Sequence, residues 1–262
     1  MTRKNQSLLL LVLSVVLLVI ISVRVSPKAA EAEDPDAPHE IVVIMPDDTP
    51  PPMETPAETP EPPKSIGELF PSVSRNDWNL RLVNQTVVLP SSFAPDVTKT
   101  RNEQYVDSRI IEPLEAMLTA AEAEGYTVCL RTAYRPYATQ AYLFNGKASQ
   151  IQWGTTMSLA EAETEARKVI AYPGTSEHQT GLSVDILDSS STAMTADTAK
   201  NLPLIQWLTE HCTEFGFVAR YPEHKQDITG WNEPWHFRYV GPELAAYMAE
   251  QDLCLEELIS RF

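Results

Sequence analysis

Hydrophobic positions divide the chain into a solid apolar run at residues 7–23, a stretch at 25–65 that nearly lacks them, and a remainder where they recur periodically. In that remainder, residues 78–84 alternate apolar and polar, which predicts a strand. Ile111, Leu114, Met117 and Leu118 follow a helical spacing within residues 108–124, and Gly125 ends it. Residues 126–133 are β-prone, with Val128 and Leu130 on one side. Helices are predicted over residues 137–150 and 158–171, the second broken by Pro173-Gly174. Residues 182–187 read as a strand and 202–215 as an amphipathic helix stopped by Gly216. Strands follow at 217–221 and 235–240. Pro242 opens a helix at a position where its missing N–H is harmless, and a last short helix starts near Leu253. Helices and hairpin-like strands mix without regular βαβ alternation, so the fold class is α+β. The implied organisation is a membrane or signal segment at 1–24, a linker at 25–65 and one folded domain at 66–262.

As a helix, the run at 7–23 would reach roughly 25 Å, just enough to cross a bilayer with some thinning. Arg3 and Lys4 precede it, while Arg24 and Lys28 follow it, so charge alone does not fix its orientation. No Cys follows the run, which excludes a lipoprotein anchor. Ala30-Glu31-Ala32 lies far downstream for a cleavage site, so an uncleaved anchor is favoured over a cleaved signal peptide. Residues 25–65 hold about half of the 21 Pro and about ten acidic residues against two Lys. Such a segment buries too little apolar surface to offset its ordering entropy and is expected to be an extended, disordered stalk. A stalk with a spacing role and a linker that merely connects are not separable by composition. Residues 40–45 form a short apolar island, expected not to pair with the domain.

The formal net charge of -16 argues against nucleic acid as partner, because phosphate binding needs a basic surface, although much of that charge lies in residues 25–65. Cys129, Cys212 and Cys254 form no close pair. Cys129 sits in an apolar run and is expected to be a buried free thiol. A Cys212–Cys254 disulfide is open to a chain outside the cytoplasm.

Candidate chemistry concentrates in Ser176-Glu177-His178-Gln179-Thr180-Gly181-Leu182-Ser183-Val184-Asp185 and Glu233-Pro234-Trp235-His236. Two imidazoles, an aspartate and a spare glutamate are the inventory of a catalytic zinc site with one position left open. No H-E-x-x-H helix is present, and Pro234 excludes a helix interior. The ligands must therefore come from strands and turns. Positions three apart in a strand face opposite ways, so Glu233 is expected in a turn bent by Pro234, ahead of the strand that carries His236. His178 is expected in a turn that Gly181 folds back onto the strand of Asp185. His39, His211 and His224 are expected to be ordinary surface or helix histidines. On spacing alone, a zinc site and a structural hydrogen-bond network both fit these residues.

The pattern Ser176-x-His178-x-x-Gly181-x-Ser183-x-Asp185 with Glu233-x-Trp235-His236 resembles the signature of the LAS metallopeptidases. That group takes in lysostaphin, the D-Ala-D-Ala metallopeptidases and the hedgehog signalling domain. Further blocks resemble VanY-type D-alanyl-D-alanine carboxypeptidases. These are residues 78–84, Ala133-Tyr134-Arg135-Pro136-Tyr137 with Gln140, Arg220-Tyr221-Pro222, Asp227-Ile228-Thr229-Gly230 and residues 233–240. The match covers nearly all of residues 74–262, with these blocks in the right order.

The resemblance implies an antiparallel sheet with helices packed around it. It implies Zn²⁺ held by His178, Asp185 and His236, with Glu233 as general base and then proton donor to the leaving amine. Arg135, Gln140 and Ser176 would hold the substrate's terminal carboxylate, and Arg135 would help polarise the scissile carbonyl. Ser183 stands where Ala is common in the motif and is expected to face away from the metal. His224 stands where a small loop residue is usual. Trp235 and Tyr239 are expected in the core or the pocket wall. The implied activity is a membrane-held, extracytoplasmic D,D-carboxypeptidase acting as a monomer on peptidoglycan stem peptides. An L,D-carboxypeptidase on tetrapeptide stems is the alternative within the class. A non-catalytic zinc-containing wall-binding module is the alternative outside it, against which the retention of Glu233 argues.

Overall fold

The computed structural model describes residues 64–190 and 195–262. The expected membrane segment, the apolar island at 40–45, His39 and the linker up to residue 63 lie outside the described residues. Among the described residues no helix is long and apolar enough to cross a membrane.

The folded region opens with α1 (Ile66–Leu69), whose N-terminus is closed by a reciprocal Ser65/Glu68 capping box. A short antiparallel hairpin follows, β1 (Val97–Lys99) with β2 (Tyr105–Asp107). Next come α2 (Ile111–Ala123), β3 (Val128–Thr132), α3 (Tyr137–Trp153) and α4 (Leu159–Ala166). The chain continues through β4 (Ser183–Asp188), α5 (Ala196–Ala199), α6 (Pro203–His211), β5 (Phe217–Tyr221), α7 (Gln226–Thr229), β6 (Glu233–Tyr239), α8 (Pro242–Glu250) and α9 (Leu255–Ser260). β3, β4, β6 and β5 form, in that order, a sheet in which every neighbouring pair is antiparallel. The class is α+β, as the mixed periodicities require.

Alternation along the central strands splits the sheet into two unlike faces. Val184, Ile186 and Phe237 point to a core completed by Leu114, Met117 and Leu118 of α2 and by Leu204, Ile205 and Leu208 of α6. The opposite face carries Ser183, Asp185, His236 and Arg238, since Ser183 pairs with Arg238 and Asp185 with His236. Toward one end this second face is covered by an apolar cluster containing Ile66, Leu80, Val218, Val240, Leu244 and Leu258. At the other end it is left to polar side chains.

Three predicted elements differ from what forms. Residues 78–84 are not a strand; Trp78–Leu80 make a single 3₁₀ turn. Their carbonyls are taken by a side chain rather than a neighbouring strand, because Arg238 donates to Asn79 O (3.1 Å) and Arg81 O (2.9 Å). The helix expected at 158–171 stops at Ala166. Tyr172 precedes a proline, which disfavours helical backbone there, and the carbonyl of Ala171 accepts instead from Gln140 Nε2 at 2.6 Å. The helix expected to run through Phe215 is α-helical only to His211 and then tightens into a 3₁₀ turn over Cys212–Phe215. Gly216 ends it at φ +80°, where a Cβ would lie 2.9 Å from the Tyr239 ring. Cys129, Cys212 and Cys254 are free thiols, Cys129 only half-buried, so the disulfide left open by the sequence is not formed.

Candidate metal centre

His178 sits in the 3₁₀ turn Glu177–Thr180, which ends at Gly181 in the left-handed region, φ +70°. A Cβ there would lie 2.8 Å from the Asp107 backbone nitrogen, and that nitrogen donates to Gly181 O at 2.9 Å. The position therefore needs glycine for both its conformation and its clearance. The turn feeds directly into β4, bringing His178 over Asp185. Asp185 lies opposite His236 on the adjacent strand. One donor atom from each of His178, Asp185 and His236 falls within 4.8 Å of the others, and all three residues are buried.

Hydrogen bonding fixes which imidazole nitrogen faces the cluster. His178 Nδ1 is 2.8 Å from the carbonyl of Ala133, so it carries the proton. Its Nε2 lone pair is then turned toward Asp185 Oδ2, 3.2 Å away. Burial pushes the His178 pKa down, favouring that neutral ring. His236 Nδ1 stands 3.0 Å from Asp185 Oδ1, and its buried Nε2 has no hydrogen-bond partner within ordinary range. At His178 a neutral imidazole lone pair faces a carboxylate, a contact between two acceptors. A cation among these atoms turns it into ligation, so the donor set fits a tetrahedral N/N/O site with one side open.

Glu233 arrives by a route different from the predicted one. It is the first residue of β6 rather than a turn residue ahead of it. Along β5 the pairing passes from Ala219 to Tyr221 while β6 passes from Phe237 to Glu233, so β6 carries extra residues in a bulge spanning Pro234. Proline cannot donate to the ladder, and the bulge re-aims the side chain. Glu233 Oε2 ends 3.9 Å from His236 Nδ1, with 30% of the side chain exposed. Burial, with Asp185 nearby, raises its pKa above the usual glutamate value.

Arg135 follows β3, its backbone nitrogen donating to His178 O at 3.0 Å. Its guanidinium donates to Gln140 Oε1 at 2.9 Å. Gln140 is buried and spends its own amide on Ala171 O. It stands behind Arg135 instead of lining the cavity. Arg135, Ser176, His178, Asp185, Glu233 and His236 do line it, around a volume of about 150 Å³ walled also by Ile170, Tyr221 and Trp231. Trp235 and Tyr239 pack against the main core. His211 and His224 pair on the surface with Glu214 (2.7 Å) and Asp252 (2.8 Å), as ordinary histidines.

Sequence reasoning missed a layer of charge beneath the centre. Glu177, Arg220 and Arg238 have fully buried side chains. Arg220 Nε and Arg238 Nη1 each donate to Glu177 Oε1 at 2.9 Å. Arg220 also forms a two-pronged pair with Glu256 of α9, at 2.8 and 2.7 Å. Ser183, expected to face away from the metal, shares the face of Asp185 two residues on and donates from Oγ to Glu177 Oε2 at 3.2 Å. No spacing rule marks such a network; the signal was two arginines at buried strand positions.

This network has a consequence for acid stability. Burial pushes the Glu256 pKa up, but hydrogen bonding and charge from Arg220 outweigh it and hold it below the ordinary 4.5. A depressed carboxylate stabilises the fold above its unfolded pKa, and this contribution is lost as pH falls through the folded value. The melting-temperature gap between wild type and Glu256→Gln should be constant above pH ~5 and close on further acidification. A gap that widens in acid would refute the assignment.

Residues 103–242 match the family model described as VanY, D-alanyl-D-alanine carboxypeptidase. A D-alanyl-D-alanine carboxypeptidase of Enterococcus faecalis is 36% identical over 185 residues, 70% of this chain and 66% of that protein. The match thus spans just under two thirds of that relative's length. The crystal structure of a mutant of the vancomycin-resistance D,D-pentapeptidase VanY in complex with Zn(II) is 35% identical, with a TM-score of 0.60 over 70% of this chain and 99% of that one. The LD-carboxypeptidase LdcB, whose structure addresses peptidoglycan recognition, is 33% identical, with a TM-score of 0.58 over 69% of this chain and 85% of that one.

Proposed function

The chain belongs to the VanY family of D-alanyl-D-alanine carboxypeptidases, and from that premise we propose that it is a zinc D,D-carboxypeptidase removing the terminal D-Ala of peptidoglycan stem peptides. The observation that carries the proposal is a buried His178/Asp185/His236 donor set sharing one cavity with Glu233 and Arg135. The zinc complex of the related pentapeptidase supports the choice of metal. When bound, Zn²⁺ would supply Lewis acidity toward the scissile carbonyl and acidify the attacking water.

The remaining work falls to side chains. Glu233 lies beside the donor set without belonging to it, so its carboxylate is free to accept the attacking water's proton. The same carboxyl group can then return that proton to the leaving nitrogen. Arg135 presents a planar fork to the substrate's carboxylate. Its bond to Gln140 fixes the fork in place, so Gln140 acts through Arg135. Ser176 lines the same wall and offers a hydroxyl to the same carboxylate. A clamp for a free chain end makes an exopeptidase.

Arg135→Ala should raise KM and lower kcat, cutting kcat/KM on free-carboxylate peptides by roughly 10- to 100-fold. Wild type should be poor on a C-terminal amide. Equal wild-type rates on acid and amide would remove the clamp.

The similarity to LdcB favours the L,D reading as second choice. Mass spectrometry of pentapeptide and tetrapeptide stems incubated with the protein, with and without chelator, separates the readings. Loss of D-Ala from the pentapeptide alone supports the first, loss from the tetrapeptide alone the second, and loss from neither a binding module. We place the enzyme outside the cytoplasmic membrane, tethered by residues 7–23 and held off by the acidic, proline-rich segment. That placement rests on the sequence pattern and on where the substrate lies. Protease added to intact cells should remove the domain; full protection would refute it.

A further inference from the structure

We propose that Glu177 is a positioning residue for the metal centre, accepting the Nε2–H of His236 and so holding that ring in the tautomer whose Nδ1 is a ligand; this rests on the zinc reading above. His236 Nδ1 faces Asp185 at 3.0 Å. For Nδ1 to offer a lone pair to a cation, the ring proton must sit on Nε2. That atom is buried and lacks an ordinary hydrogen bond. Glu177 Oε2 stands 3.5 Å away, a few tenths of an ångström beyond hydrogen-bond range, which a small ring rotation closes.

The carboxylate is built to accept there. Its other oxygen, Oε1, is held by both Arg220 and Arg238 at 2.9 Å. Arg238 is anchored in turn on the carbonyls of Asn79, Arg81 and Tyr239, and Arg220 on Glu256. Oε2 is left to Ser183 Oγ and the imidazole. The two histidines then match. The far nitrogen of His178 is tied to the Ala133 carbonyl, and that of His236 to Glu177. Groups that hold the far side of a ligand imidazole fix its orientation and basicity, and their loss commonly weakens metal binding 10- to 100-fold.

The plainer role, neutralising two buried arginines, predicts a loss of stability without a specific change at the metal. Zinc affinity should be measured by chelator competition on wild type and Glu177→Gln, with melting of the metal-free proteins alongside. The ¹⁵N–¹H imidazole spectrum of the zinc-loaded wild type completes the set. We expect roughly 10- to 100-fold weaker zinc in a folded Glu177→Gln, and a slowly exchanging Nε2–H on His236 in the wild-type spectrum. Unchanged affinity in the folded variant, or a His236 proton found on Nδ1, overturns the proposal. If the variant fails to fold, the wild-type spectrum decides alone. A wild type that binds no zinc overturns the metal reading and this proposal with it. A wild type that binds zinc beside an unaffected variant overturns this proposal only.

Discussion

Glu233→Gln should leave zinc bound and lower kcat for D-Ala release by roughly 10²- to 10⁴-fold, the usual scale of general acid–base catalysis. The substitution preserves size and removes only the capacity to take a proton. Glu233 is 3.9 Å from His236 Nδ1 and partly exposed at the cavity, so it lies beside the donor set and outside the core. KM should change little, because the proposed clamp of Arg135 and Ser176 is untouched. Metal analysis and steady-state kinetics on the same preparation check both halves. Ordinary turnover by the variant would remove Glu233 from the reaction; loss of zinc would make it a ligand.

The other large effect should come from the ligands. Asp185→Ala or His178→Ala should take zinc from one equivalent to near none after dialysis against a zinc buffer, with hydrolysis lost alongside. Three protein donors define such a site, and two hold the ion poorly. Asp185 matters most, because it is the acidic member and touches both rings, at 3.2 and 3.0 Å. Full occupancy in either variant would contradict the centre.

His178 and Asp185 were legible as candidate donors because their chemistry is local: a histidine, a glycine that turns the chain, and an aspartate on the strand that follows; their union with His236 in a zinc site was read from the family resemblance. Helices with strong apolar spacing were legible for a similar reason. Residues 78–84 misled because their alternation serves a loop whose carbonyls are bonded by Arg238, 157 residues away in sequence from Arg81. The approach of Glu233 was misplaced because a bulge and a turn look alike around a proline. Gln140 was read as touching substrate because nothing in a sequence tells a residue in a pocket from one behind it. Glu177 was quoted within the motif and given no task, since its partners Arg220 and Arg238 lie far along the chain on β5 and β6.

Asp185 and His236 occupy the same rung of the β4–β6 ladder. Their spacing is thus inherited from backbone pairing and exists before any ion arrives. A shift of that pairing by one residue would invert the displaced strand and carry its ligand away from the other two into the oily interior. Single-residue insertions at the start of β4 or just after Trp235 should therefore abolish the enzyme outright, while an insertion between Ser189 and Ser190, both exposed, should be absorbed.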